Sequence, residues 1–247
     1  MPEGLLLLHA FPLDASMWQP QIDALSGELP VVAPNLPGFG GAAPAGDVLT
    51  MDAAADAAVE AAVGMGLDRM VVCGLSMGGY VAFAVWRRHR DRVAGLVLAN
   101  TRAGADDEAG KERRRALGQR LGEEGNGFLV ENPPPLLSAD APAELWHRVK
   151  AIIAAQPAEA IAAASLGMAE RPDSTPDLAG ISVPALVVTS GGDALIPPEA
   201  TRPMASQIPG GRLEEIEGAG HLSNLEAPDR FNDLLRAHLV AGGILTG

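Results

Sequence analysis

Residues 71–83 read VVCGLSMGGYVAF, an apolar run that passes through a glycine-flanked serine straight into a helical pattern. Val71, Val72 and Cys73 are apolar at every position, as a strand buried on both faces of a parallel sheet is. Residues 77–89 carry the apolar spacing of a helix. A strand that exits into a helix is half of a βαβ unit. The rest of the chain repeats the theme. Residues 4–9, 30–35, 94–99, 184–190 and 212–216 read as further strands. Residues 51–65, 199–207 and 228–240 read as helices, the first of them opened by Thr50 as N-cap. Strands alternating with helices imply a parallel sheet covered on both faces. With 247 residues, 47% of them apolar, one large α/β domain has material for its core, and disorder is not expected.

The alternation stops between 101 and 181. Helical patterns cover 111–120, 143–155 and 158–169, with ENPPPLL as a break between the first two. The expected organisation is therefore a core of residues 1–100 and 182–247 and a helical cap of 101–181. Ligands of open α/β sheets bind at the carboxyl ends of the strands, so an insertion after a strand should lie over a site. The basic cluster Lys111, Arg113, Arg114 and Arg115 in it reads as a solvated helix face.

The serine corner, Gly74-Leu75-Ser76-Met77-Gly78, fits the pattern G-x-S-x-G between strand and helix. Such a corner strains the backbone at the serine and pushes its hydroxyl out of the turn. A serine hydroxyl attacks a carbonyl only with a base beside it, and the base needs an orienting carboxylate. After this corner the acid and then the histidine are expected along the chain. Asp193, in GGDALIPP after strand 184–190, is the candidate acid. His221, in GAGHLSNLEAP after strand 212–216, is the candidate base. Of the other histidines, His9 should support the loop after the first strand, while His89, His147 and His238 should face water. The oxyanion of a tetrahedral intermediate needs backbone donors, for which the N–H groups of Met77 and Phe11 are the candidates. An apolar pocket under the cap is expected from Phe128, Leu129, Trp146, Ile152 and Met168, with Trp18 and Met17 nearer the oxyanion loop.

HAFPLD, PNLPGFG, GLSMGG, GGDALIPP and GAGHLSNLEAP occur in the order, and span nearly the length, that resembles the α/β-hydrolase superfamily. The resemblance implies the α/β-hydrolase fold, a mostly parallel sheet with helices on both faces, and the triad of Ser76, Asp193 and His221. Two departures stand out. Ala10 occupies the position where the family usually carries glycine. The two antiparallel strands that usually precede the strand ending in His9 have no counterpart, so about six strands are expected, with 30–35 at the edge. Pro30 and Pro34 bracket that edge and blunt it against pairing. A monomer is expected, a homodimer covering the edge being the alternative.

The function expected on these grounds is a serine carboxylesterase of small soluble esters. The alternatives are a lactonase resembling the 3-oxoadipate enol-lactonases and, from a different class, a ligand-sensing receptor on the same fold. An anionic lactone would need Arg102 or Arg148 in the pocket. The net charge of −13 argues against nucleic acid and anionic membranes as partners. The single cysteine, Cys73, excludes an internal disulfide and reads as core packing. The apolar stretch 5–8 is too short for a signal segment or a membrane span, and a cytoplasmic location is expected. No metal and no cofactor is expected, because His, Asp and Glu do not cluster at ligand spacing and no phosphate-binding glycine loop follows the first strand.

Overall fold

A computed structural model describes residues 3–246. The chain enters as β1 (Glu3–Leu8), then α1 (Gln19–Leu25), β2 (Val31–Val32), α2 (Met51–Gly64), β3 (Arg69–Leu75), α3 (Met77–Arg88) and β4 (Val93–Ala99). Between β4 and the next strand come α4 (Glu108–Glu124), α5 (Gly127–Glu131), α6 (Ala143–Ala155) and α7 (Ala158–Glu170). The chain then returns as β5 (Ala185–Ser190), α8 (Pro198–Thr201), α9 (Pro203–Gln207), β6 (Arg212–Ile216), α10 (Ser223–Glu226) and α11 (Pro228–Ala241). The six strands are all parallel, in the order β2-β1-β3-β4-β5-β6. This is the α/β-hydrolase fold that the sequence resembles, with strand 30–35 at the edge. Among the described residues no further strand lies outside β2.

The central strands are buried throughout: every residue of β4 and β5 is buried, as continuous apolar runs require. Local chemistry sets the helix boundaries. The Thr50 hydroxyl accepts the Ala53 N–H and opens α2. Asp107 does the same for α4 through Gly110, so that helix starts at Glu108 and runs to Glu124, well beyond the expected 111–120. The expected helix 199–207 is divided into α8 and α9, where Pro203 has no N–H to continue the ladder. The edge strand β2 shrinks to two residues between Pro30 and Pro34. Pro30 still contributes, since its carbonyl accepts the Leu5 N–H. Helices α1 and α5 were not expected from the sequence.

No single helix among the described residues is long and apolar enough to cross a membrane. The one helix pair with the length and composition to do so together, α6 and α7, is bent by 94°. Cys73 is buried, and burial pushes its thiol pKa up, which suits packing.

Besides His221, which belongs to the candidate active site, His9 and His238 are buried. His238 was expected to face water. Instead it is 2% exposed under the sheet on α11, where burial and then the nearby Arg212 charge lower its pKa to about 4. His9 is fully buried, and burial lowers its pKa to about 4 against the opposing hydrogen bond with Ala10. Both are neutral in the folded protein at pH 7. The unfolded chain protonates them near pH 6.5, whereas the folded protein does so only near pH 4. Stability is therefore complete above 6.5 and falls as the pH drops from 6.5 toward 4. Urea unfolding at pH 7 and at pH 5 should show this loss, and His238→Gln should flatten part of the slope. Equal stability at the two pH values would contradict it.

Candidate active site

Ser76 stands where β3 meets α3, with φ at 58°, a region that few non-glycine residues occupy. Its N–H donates to the Ala99 carbonyl of β4, and its own carbonyl accepts the Thr101 hydroxyl. Glycine is required on both sides of it. A Cβ on Gly74 would overlap the Gly78 carbonyl, and one on Gly78 would overlap the Leu8 carbonyl of β1. Strand and helix can close to this distance only without side chains at those two positions.

Asp193 lies just beyond β5, in a turn held by its own carboxylate. Its Oδ1 accepts the N–H groups of Leu195 and Ile196, each at 2.9 Å. Its Oδ2 meets His221 Nδ1 at 2.8 Å and accepts Asn100 Nδ2 at 3.0 Å. Burial raises the Asp193 pKa, but the hydrogen bonds from His221, Ile196 and Asn100 outweigh this and hold the carboxyl below its ordinary value. An ionised carboxylate only accepts, so the proton between the pair sits on His221 Nδ1, and Nε2 is left with a lone pair. His221 is 1% exposed.

A network that was not expected from the sequence holds this pair. Asn100, at φ 45° just past β4, donates to both Ser190 Oγ and Asp193, and accepts the Ser223 hydroxyl at 2.6 Å. Ser190 Oγ in turn donates to the Gly220 carbonyl, one residue before His221. Glu226 accepts the Gly220 N–H and both the N–H and hydroxyl of Ser138, tying the histidine loop to the segment between α5 and α6. The only signal for Asn100 in one dimension is a polar residue closing an apolar strand.

Ser76 and His221 open on one cavity of about 390 Å³, lined also by Phe11, Tyr80, Leu136 and Met168. The Ser76 hydroxyl makes no hydrogen bond to His221 in this structure, contrary to expectation; such bonds commonly tighten only once substrate is seated. The N–H groups of Phe11 and Met77 have no protein acceptor. The loop carrying Phe11 is braced from beneath: the Ala10 N–H donates to Met17 Sδ, and His9 Nε2 accepts the Leu36 N–H of the PNLPGFG loop.

Of the expected pocket residues, Met168 reaches the cavity and the rest do not. Trp18 packs in the core, its ring 5.9 Å from Phe231. Phe128 lies beneath the Arg120 guanidinium at 3.7 Å. Leu129 of α5 and Ile152 of α6 are buried where those two helices pack together, and Trp146 is partly buried against the same core. These apolar side chains pack within the insertion or against the core rather than facing the cavity. Arg148 is exposed and donates to the Ser16 carbonyl, away from the cavity. The cluster 111–115 divides. Lys111 and Arg115 pair in solvent with Glu108 and Glu112, whereas Arg113 and Arg114 line the cavity. Gly110, Arg113, Arg114 and Leu117, spaced i, i+3, i+4 and i+7, all line it, and that helical face was the readable signal.

The model of the Alpha/beta hydrolase family matches residues 5–234. The chain belongs to that family. This hydrolase is 30% identical to a pimeloyl-(acyl-carrier protein) methyl ester esterase of Neisseria meningitidis, over 96% of its length and 94% of the relative's. It superposes on a thermophilic esterase of Thermogutta terrifontis, solved with malate bound, with a TM-score of 0.93 and 42% identity, covering 98% of this chain and 90% of that one. It superposes on the enol-lactonase of Burkholderia xenovorans with a TM-score of 0.85 and 28% identity, covering 97% and 91%.

Proposed function

We propose that this hydrolase cleaves small carboxylic esters through an acyl-enzyme on Ser76. The observation that carries the reading is the strained Ser76 corner opening on the same cavity as a histidine whose Nε2 lone pair is fixed by Asp193. In the reaction His221 Nε2 takes the Ser76 proton as Oγ bonds to the ester carbonyl carbon. The carbonyl oxygen gains negative charge and is held by the Phe11 and Met77 N–H groups, each such donor contributing about 3–4 kcal/mol to the barrier reduction. Collapse breaks the bond to the alkoxy oxygen, which leaves with the proton from His221. A water molecule, deprotonated by the same nitrogen, then attacks the acyl carbon and releases the acid and Ser76. Helices α4 to α7 act as the cap that keeps bulk water from the acyl group.

A lactone follows the same course with its alcohol tethered. The likeness to an enol-lactonase supports that second reading. A panel of p-nitrophenyl acetate, p-nitrophenyl butyrate and an enol-lactone tests both. The expected result is many turnovers per chain on at least one of them. Binding without turnover on all of them would overturn the proposal and favour a ligand receptor.

A further inference from the structure

The cavity wall contributed by the insertion is strongly cationic in a chain whose net charge is −13. Arg102, Arg113 and Arg114 line it, and Asp106 is the one carboxylate among the lining residues. Asp106 is already committed. It is buried, and it accepts from Arg102, Arg114 and Arg171 at once. Arg171 is itself stacked over the Tyr80 ring at 4.0 Å. Asp106 therefore fixes the guanidinium groups around it and leaves the wall with more positive charge than it neutralises. Two of the lining arginines keep unused donors. Arg102 Nε is buried without an acceptor. Arg113 has neither an ion pair nor a hydrogen bond among the described residues, although it stands on the cavity face of α4 between Gly110 and Leu117.

We propose that this cavity selects substrates that carry a carboxylate remote from the scissile ester, with Arg113 as the residue that receives it. The inference rests on the hydrolase reading above and specifies its substrate class. An unpaired guanidinium matches a carboxylate in shape and charge. The same Asp106 clamp that pre-orders Arg102 and Arg114 keeps a field of one sign at the wall, which attracts anions despite the acidic surface. Arg113 is solvent-exposed and unpartnered, so replacing it removes the charge without disturbing the fold.

The test compares monomethyl glutarate with dimethyl glutarate on the intact protein and on Arg113→Gln. The wild-type protein should prefer the half-ester. In Arg113→Gln the ratio of kcat/KM for half-ester over diester should fall by about ten- to a hundredfold. A second arm does not depend on turnover. In the Ser76→Ala background, glutarate binding measured by calorimetry should exceed glutaramide binding, and adding Arg113→Gln should weaken glutarate by about tenfold or more. If neither ester turns over but glutarate binding depends on Arg113, the anion site stands and the hydrolase reading fails. If the diester is turned over while the ratio and glutarate binding are the same in both proteins, the hydrolase reading stands and the anion site is overturned.

Discussion

Ser76→Ala should lower ester turnover on the order of 10⁵- to 10⁶-fold, the scale set by removing the nucleophile of a serine hydrolase. The fold should survive the change. The Ser76 N–H bond to Ala99 and the Thr101 bond to its carbonyl are made by the backbone and remain. Alanine is strained at φ 58°, but serine is already so, and the difference between them is small. The hydroxyl itself makes no hydrogen bond that holds the structure together. Activity and melting temperature are thus expected to separate: the first collapses and the second moves by a few degrees at most. A variant that kept a tenth of the rate would exclude Ser76 as nucleophile.

Asp193→Asn should lower kcat by about 10⁴-fold. The physical cause is the tautomer. With the carboxylate present, His221 carries its proton on Nδ1 and presents a lone pair at Nε2. An amide placed at Oδ2 directs N–H toward Nδ1, which must then accept, and the ring proton moves to Nε2. The base then has no lone pair for Ser76. The opposite amide rotamer fails differently, because its NH₂ faces the Leu195 and Ile196 N–H groups that Oδ1 now accepts. Either way a buried polar group loses a partner, so stability should also fall by about 1–3 kcal/mol. Stopped assays on Asp193→Asn, with circular dichroism to verify folding, check both parts. A rate within tenfold of wild type would mean that another carboxylate orients the histidine.

The elements that position the site were the readable ones. Parallel strands such as β4 and β5 are buried on both faces, so they appear as unbroken apolar runs, and the serine corner appears as glycines around a hydroxyl. The groups that complete the site come from remote positions. Asn100 and Asp193 are 93 residues apart and meet only because β4 and β5 are neighbours in the sheet. The same limit explains the pocket. An apolar face on a short helix such as α5 marks burial against something, and the sequence does not say whether that is substrate or α6. Here it is α6. His238 shows the converse, a polar residue near a helix end that is nevertheless covered by the sheet. Arg113 and Arg114 were read as solvated: their spacing with Gly110 and Leu117 defines one face of α4, but a run of charge looks like a solvated surface until the helix is placed over the strands.

The central claim, that Ser76 is the nucleophile of this cavity, is tested most directly by its covalent chemistry. Diethyl p-nitrophenyl phosphate should phosphorylate Ser76 Oγ with release of one equivalent of p-nitrophenol. Peptide mass spectrometry should then find the diethyl phosphoryl group on the peptide containing Ser76, in step with the loss of activity, and should find none in Ser76→Ala. Complete inactivation with the group on another residue, or full activity with Ser76 quantitatively modified, would contradict the account.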